Sequence, residues 1–447
     1  MVKVLIPSGA LGIGFDPAAL AAGVAARPDI IAIDGGSTDS GPHYLGTGTS
    51  KYARSTVKAE WSAIMAARAE AGVPLVIGTA GTSGADSAVD WLLDITREIA
   101  EERGSHERVA VLKSGQQPAA VVEAMNAGRV TPLSGAPDVH TDTVGACSNI
   151  VALAGAEAIQ YALDADVDIV IAGRTTDTAL IAALPLARGC NPGAAWHGAK
   201  IGECGALATT HPDSGTLLVS FDETGFTVTP MGADAAATPR TVSAHMLYEN
   251  SDPIVLHEPG GYLDVSGARY EAVDARSVRV TGSKWVVSDT YTVKLEGARI
   301  AGYQTASMVL LRDARYVARV HEWTARIEEL MQARLAARGV EGATIELRVI
   351  GQNATLGALE TRRSDLHEVG VLAVVTAPDQ STATDVAKSL NPLLLHCPLS
   401  EDEPMPTFAF PFSPPEMQRG PVYEFCLHHV LTLDAPCDAF RREVVTL

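Results

Sequence analysis

The chain reads as an α/β protein. An N-terminal parallel-sheet α/β core is followed by a β-rich elaboration and then by a smaller α+β region of ββα repeats. Three observations predict this. Over residues 1–190, short apolar runs alternate with longer amphipathic stretches, the βαβ pattern of a parallel sheet. Three of those apolar runs end in similar loops of Gly, Ser or Thr, and Asp. Beyond residue 190 the pattern changes, first to short period-2 segments and then to strand–strand–helix, twice over.

In the core, strands are expected at 2–6, 29–34, 74–78, 108–112 and 167–172, with helices at 16–26, 55–71, 86–103, 117–127 and 148–164. Pro42, Pro132 and Pro137 fall in the connections, where a residue without an N–H does least harm. Residues 191–288 carry strand candidates Thr216–Phe221, Gly225–Thr229 and Ala272–Val287, and are expected to close over the crevice of the sheet. Residues 289–399 read as strands Tyr291–Glu296 and Tyr303–Leu311, helix Arg312–Arg338, strands Thr344–Ile350 and Val369–Thr376, and helix Ser381–Leu395. Residues 400–447 form a C-terminal extension, Pro-rich and then strand-like at Val422–Leu431.

Composition narrows the function classes. With 47% hydrophobic residues among 447, a large core is expected. A net charge of −19 argues against nucleic acid and anionic membrane surfaces as partners. No apolar run reaches the roughly 18 residues of a membrane span, and Met1–Pro7 reads as a first strand rather than a signal peptide. The six cysteines show no CxxC spacing and read as reduced thiols, so a cytoplasmic location is expected. The strand-like tail and scarce aromatics lead to the expectation of a homo-oligomer that covers those strands. There is no GxxxxGK[ST] loop, and Gly9, Gly12 and Gly14 have the wrong spacing for a dinucleotide fingerprint, so no nucleotide cofactor is expected. GxSxG and HExxH are absent as well.

The chemistry is concentrated in the three loops. Ile31–Pro42 carries an apolar strand into Asp34, Gly35, Gly36, Ser37, Thr38 and Asp39. Val76–Asp86 carries one into Thr79, Thr82 and Ser83, and Ile169–Asp177 into Arg174, Thr176 and Asp177. Loops leaving the carboxyl ends of parallel strands line one crevice, where ligands bind. All three are therefore expected at one edge of one sheet. Taken singly, such residues also make turns and helix caps.

Seven motifs, in order over most of the chain, give it a family resemblance: Asp34–Gly46, Gly78–Asp86, Gly173–Leu180, Glu203-Cys204-Gly205, Ala244–Pro253, Glu258–Asp264 and Val293–Gly297. Together they resemble the acyclic terpene utilisation (AtuA-like) family of bacterial catabolic proteins. The resemblance implies catabolism of small branched or unsaturated carboxylic acids or of their coenzyme A thioesters. The opening Ile6–Gly12 departs from the aromatic, Asp-bearing loop of many relatives.

Adding or removing water beside a carboxylate needs a base for the α-proton, an acid for the leaving hydroxyl and donors for the enolate-like charge. The expected reading is therefore a hydratase/dehydratase-type lyase acting on a small carboxylic acid or acyl-CoA. Asp39 or His257 is the candidate base and Glu203 the acid, with Asp34 paired to Asp39. Ser37, Thr38, Thr79, Thr82, Ser83, Arg174, Thr176 and Asp177 are candidates for binding the substrate. Arginine matches both oxygens of a carboxylate, though an Arg174–Asp177 pair that only stiffens the loop fits as well. Cys204 reads as a structural thiol, since no base adjoins it in sequence. His245, Glu249, His257 and Glu258 fit no standard zinc spacing. A divalent metal would first be sought at Asp34 and Asp39, which opens the alternative of a metal-assisted hydrolase or isomerase. The third alternative is a non-catalytic subunit that binds the acid or a partner enzyme.

Overall fold

Ile30, Ile31, Ala32 and Ile33 are all buried, and so are Leu75, Val76 and Ile77. Runs without a polar face suit parallel strands covered by helices on both sides. In the computed structural model, which describes residues 1–362 and 365–447, alternate residues of these strands enter two separate cores. Val4, Ile30, Ala32, Val76 and Val170 pack on one face, and Leu5, Ile31, Ile33, Ile77 and Ile171 on the other. The protein is thus mixed α/β, and its main sheet contains parallel strands.

Among the described residues that sheet has ten strands. Its parallel centre runs Val2–Ile6, Ile30–Asp34, Leu75–Gly78, Ile169–Ala172, Arg108–Lys113 in spatial order. Leu217–Phe221, Gly225–Pro230, Val278–Thr281 and Arg269–Ala272 add antiparallel strands beyond the first of these, and Arg441–Thr446 closes the opposite edge. The register sets Asp34 beside Gly78 and Ile77 beside Ile171, so the three glycine-rich loops leave the same edge.

Several element expectations are corrected. The helix expected at 148–164 is a strand, Cys147–Ala152, then the helix Ala156–Leu163. Ile150, Val151 and Ala152 are buried where the strand pairs with Leu295–Gly297. The segment expected to be β-rich from 191 opens with the helix Pro192–Gly202, buried throughout from Gly193 to Gly202. Within residues 191–288, Leu217–Phe221, Gly225–Pro230, Arg269–Ala272 and Val278–Thr281 widen the main sheet, while Val255–Glu258, Gly261–Asp264 and Lys284–Val287 form a small antiparallel sheet apart from it. The strands expected at Tyr291–Glu296 and Tyr303–Leu311 belong to one strand, Tyr291–Leu311. The helix expected at Arg312–Arg338 breaks at Arg319, whose φ of −120° is not helical, into Ala314–Ala318 and Val320–Ala337.

The chain divides into two units, Met1–Arg299 with Glu424–Leu447, and Ile300–Tyr423. In the second, Thr344–Ile350, Val369–Ala377 and Tyr303–Leu311 pair antiparallel. Trp323, Ile327, Met331 and Leu335, at helical spacing, pack in one core with Val371, Ala373 and Val375. Among the described residues, no helix is long and apolar enough to cross a membrane.

Candidate active site

The three loops interlock through their backbones. Gly35 N donates to Gly78 O (2.8 Å), Thr79 N to Gly173 O (2.7 Å) and Thr82 N to Gly35 O (3.1 Å). The glycines are needed for this approach. A Cβ on Gly84, where φ is +66°, would lie 2.2 Å from Arg174 N. Thr79 and Thr82 are β-branched yet sit at φ +47° and +84°, a left-handed backbone that strains such residues. Gly84→Ala is expected to destabilise the fold by about 2 kcal/mol or more, through strain and overpacking. Gly104 has a similar φ of +61° but no neighbour within 4 Å, so Gly104→Ala reports the strain alone. Equal melting temperatures for the two variants would show that the loops are not in close contact.

Arg174 is the hub of the first charged cluster. It is 7% exposed, and Glu296, at 5%, is its main partner: Nε donates to Glu296 Oε2 at 2.9 Å. Nη1 donates to Thr79 Oγ1 and to the Thr175 carbonyl (3.3 Å each), and Nη2 to Thr38 Oγ1 (3.4 Å). Asp177 lies farther off, at 3.8 Å. Thr38 Oγ1 and Lys294 Nζ also donate to Glu296, at 3.1 and 2.9 Å. Burial pushes the Glu296 carboxyl up, but Arg174 and Lys294 outweigh it and hold it at about 2. Asp34 is buried too. Gly36 N donates to its Oδ2 (3.0 Å), while Oδ1 has no partner. Burial and then the Asp177 charge raise its carboxyl well above the usual range, against Arg174.

A second cluster forms around Lys200, whose charge also acts on Asp177. Lys200, 4% exposed, donates to Glu203 Oε1. Thr178 Oγ1 donates to Glu258 Oε1, and Glu258 Oε2 is buried without a partner. Burial raises Glu258 to about 7 against the Thr178 and Thr176 hydroxyls, with Asp177 adding to the rise. Burial likewise raises Glu203 to about 8 despite Lys200. Asp177 is raised to about 6 by burial, with Arg174 and Lys200 opposing and Asp39 and Glu249 assisting. Burial lowers His245 to about 4, helped by Lys200, so its imidazole is neutral at pH 7. Its ring stacks on Tyr248 at 5.4 Å. Carboxyls pushed apart from about 2 to about 8 in one region are what acid–base chemistry requires.

The structure brings Asp34, Thr38, Thr79, Arg174, Asp177 and Glu203 into these two clusters. Asp39 is exposed on the turn Thr38–Ser40, where Ser37 Oγ accepts from its N–H; its charge reaches Asp177, but it does not share the burial of Asp34. His257 is exposed. It precedes Glu258 in a strand, so the two side chains point to opposite faces, and Glu258 is the one turned inward. Thr82 and Ser83 are fully buried and bound to the chain itself: Thr82 Oγ1 accepts from Lys51 N, and Ser83 Oγ donates to Tyr44 O. Thr176 caps the helix Asp177–Ala187. Arg174 is not an open clamp, because its donors already serve Glu296, two threonines and a carbonyl. Lys200, Thr178 and Glu296 were not anticipated. The available signals were a lysine in an otherwise small and apolar helix and a glutamate inside a strand.

The family model described as "Acyclic terpene utilisation family protein AtuA" matches residues 38–402. No curated protein and no solved structure matches the chain.

Proposed function

The chain belongs to the acyclic terpene utilisation family AtuA, and from that premise we propose a lyase of the hydratase/dehydratase type, acting on a small unsaturated or hydroxylated carboxylic acid or its CoA thioester. Family membership implies a role in acyclic terpene utilisation. One observation carries the finer reading. Asp177 and Glu258 are drawn to about 6 and about 7 at one sheet edge, beside a buried lysine. Near neutral pH such a pair supplies one carboxylate and one carboxylic acid.

In the dehydration direction, Asp177 takes the α-proton and the electron pair moves toward the substrate carbonyl. Glu258 then gives its proton to the departing hydroxyl, which leaves as water, and the carbon–carbon double bond forms. Lys200 gives one donor to Glu203 and has two more for the developing oxyanion. Arg174 and Glu296 act as a scaffold that holds Thr38 and Thr79 in place. The test is incubation of the purified full chain with hydroxylated and unsaturated acids and their CoA thioesters in D₂O. Water loss or gain with deuterium at the α-carbon is expected. Deuterium exchange with double-bond migration and no change in water content would identify an isomerase instead. No turnover and no exchange with any of these substrates would overturn the lyase reading and favour a non-catalytic subunit.

A further inference from the structure

We propose that Glu203, Cys204 and His245 bind one divalent cation of the zinc class. One potential ligand atom from each lies within 4.8 Å of the other two. Among the described residues this group brings a carboxylate, a thiol and an imidazole to one point, and Asp34 and Asp39 are not part of it. A second observation stands apart from the clustering. His245 is 5% exposed, and its Nε2 is fully buried with no hydrogen-bond partner. A buried polar nitrogen left unpaired calls for an explanation.

The local chain holds the three groups ready. Glu203 is the last helical residue after Pro192–Gly202, and Cys204 follows it directly. Gly205, at φ +58°, then turns the chain sharply away. Gly9 packs on the Cys204 backbone: a Cβ there would lie 3.0 Å from the Cys204 carbonyl oxygen. His245 follows the helix Pro239–Ala244, whose start is fixed by a capping box at Thr238 and Thr241. Tyr248 stacks on the imidazole and limits its rotation. Four-coordinate zinc, with bonds of roughly 2.0–2.3 Å, needs ligand atoms about 3.3–3.8 Å apart, and the three atoms here lie within 4.8 Å of one another. A mixed sulfur, nitrogen and oxygen set favours zinc over magnesium or calcium. Three protein ligands leave a fourth position for water or substrate. The Lys200 ammonium on Glu203 orients that carboxylate and, being a cation, opposes a second one. The affinity expected is accordingly that of an exchangeable ion rather than a structural one.

This inference is read by binding alone, so it stands or falls separately from the proposed reaction. The purified full chain, stripped with chelator, is titrated with Zn²⁺ against a chromophoric competitor and, in parallel, with Co²⁺. One equivalent is expected, and the cobalt form should show a thiolate-to-cobalt band in the near ultraviolet. Cys204→Ser and His245→Ala should each weaken binding by about a hundredfold or more, since even outer-sphere partners are worth 10–100-fold. Cys147→Ser should bind as the parent does. That control matters because Cys147 Sγ and Cys426 Sγ lie 3.1 Å apart and offer another thiol pair. Absence of one-equivalent binding in the parent chain would overturn the proposal. So would a cobalt spectrum without the thiolate band, or binding lost in Cys147→Ser and kept in Cys204→Ser. The parent cobalt spectrum keeps the test decisive should a variant fail to fold.

Discussion

Glu296→Gln is expected to lower stability by about 3–5 kcal/mol at pH 7, the usual penalty for removing one partner of a buried ion pair. For domains of this size that is a fall of roughly 10 °C in melting temperature. The substitution keeps the shape of the side chain and removes only its charge. Arg174 then remains, 7% exposed, with Asp177 at 3.8 Å and the buried Asp34 as its nearest acidic company. Lys294 loses its carboxylate as well. The pH dependence follows from the lowered pKa. Glu296 is held at about 2 from an ordinary 4.5, so its stabilisation is present above about 4.5 and is lost as pH falls toward 2. The gap between parent and variant should therefore be widest at neutral pH and narrow steadily below pH 4. Thermal melts at pH 7 and pH 3 check both points. A variant as stable as the parent at pH 7 would mean that the Arg174–Glu296 pair contributes no net stability.

Glu258→Gln is expected to reduce turnover by about a hundredfold or more, the usual contribution of a positioned acid, while making the fold more robust in alkali. Glu258 is raised from 4.5 to about 7 by burial. Between those values the unfolded chain gives up this proton and the folded chain keeps it, so the parent loses stability as pH rises through that window. Glutamine has no proton to lose. The variant should thus gain melting temperature relative to the parent at pH 8 and gain little at pH 4. Asp177→Asn should lose activity to a similar degree. In the parent, kcat/KM should follow a bell, with a limb near 6 for the pair member that acts as base and one near 7 for the acid. His257→Gln, on the exposed neighbour of Glu258, should leave turnover within a few-fold. Full turnover in Glu258→Gln, or a flat pH profile, would remove Glu258 from the chemistry.

Much of the site's address was readable along the chain. Parallel strands share one carboxyl edge, so three strand-to-loop motifs ending near Asp34, Gly78 and Gly173 had to meet there once the strands were placed in one sheet. The glycines carried the same message, since close backbone approach excludes a Cβ. Thr344–Ile350 was legible to the residue, because its alternation is local. The Cys147–Ala152 strand was not. Its apolar residues continue into those of the following helix, and only pairing with Leu295–Gly297 separates the two.

Other choices were made by the tertiary structure. Strand periodicity says that His257 and Glu258 face opposite ways but not which one faces inward. The contact with Thr178 decides it. The buried helix Pro192–Gly202 has no polar face from which to read Lys200, so the lysine's role appears only through Glu203 and Asp177. Arg174 chose Glu296, 122 positions away, over Asp177 on its own loop. Sequence determines what can be settled by backbone sterics and by the periodicity of burial, because both act between near neighbours. Which charges pair is set by distance and dielectric in the folded molecule, and those depend on chain segments far apart in sequence.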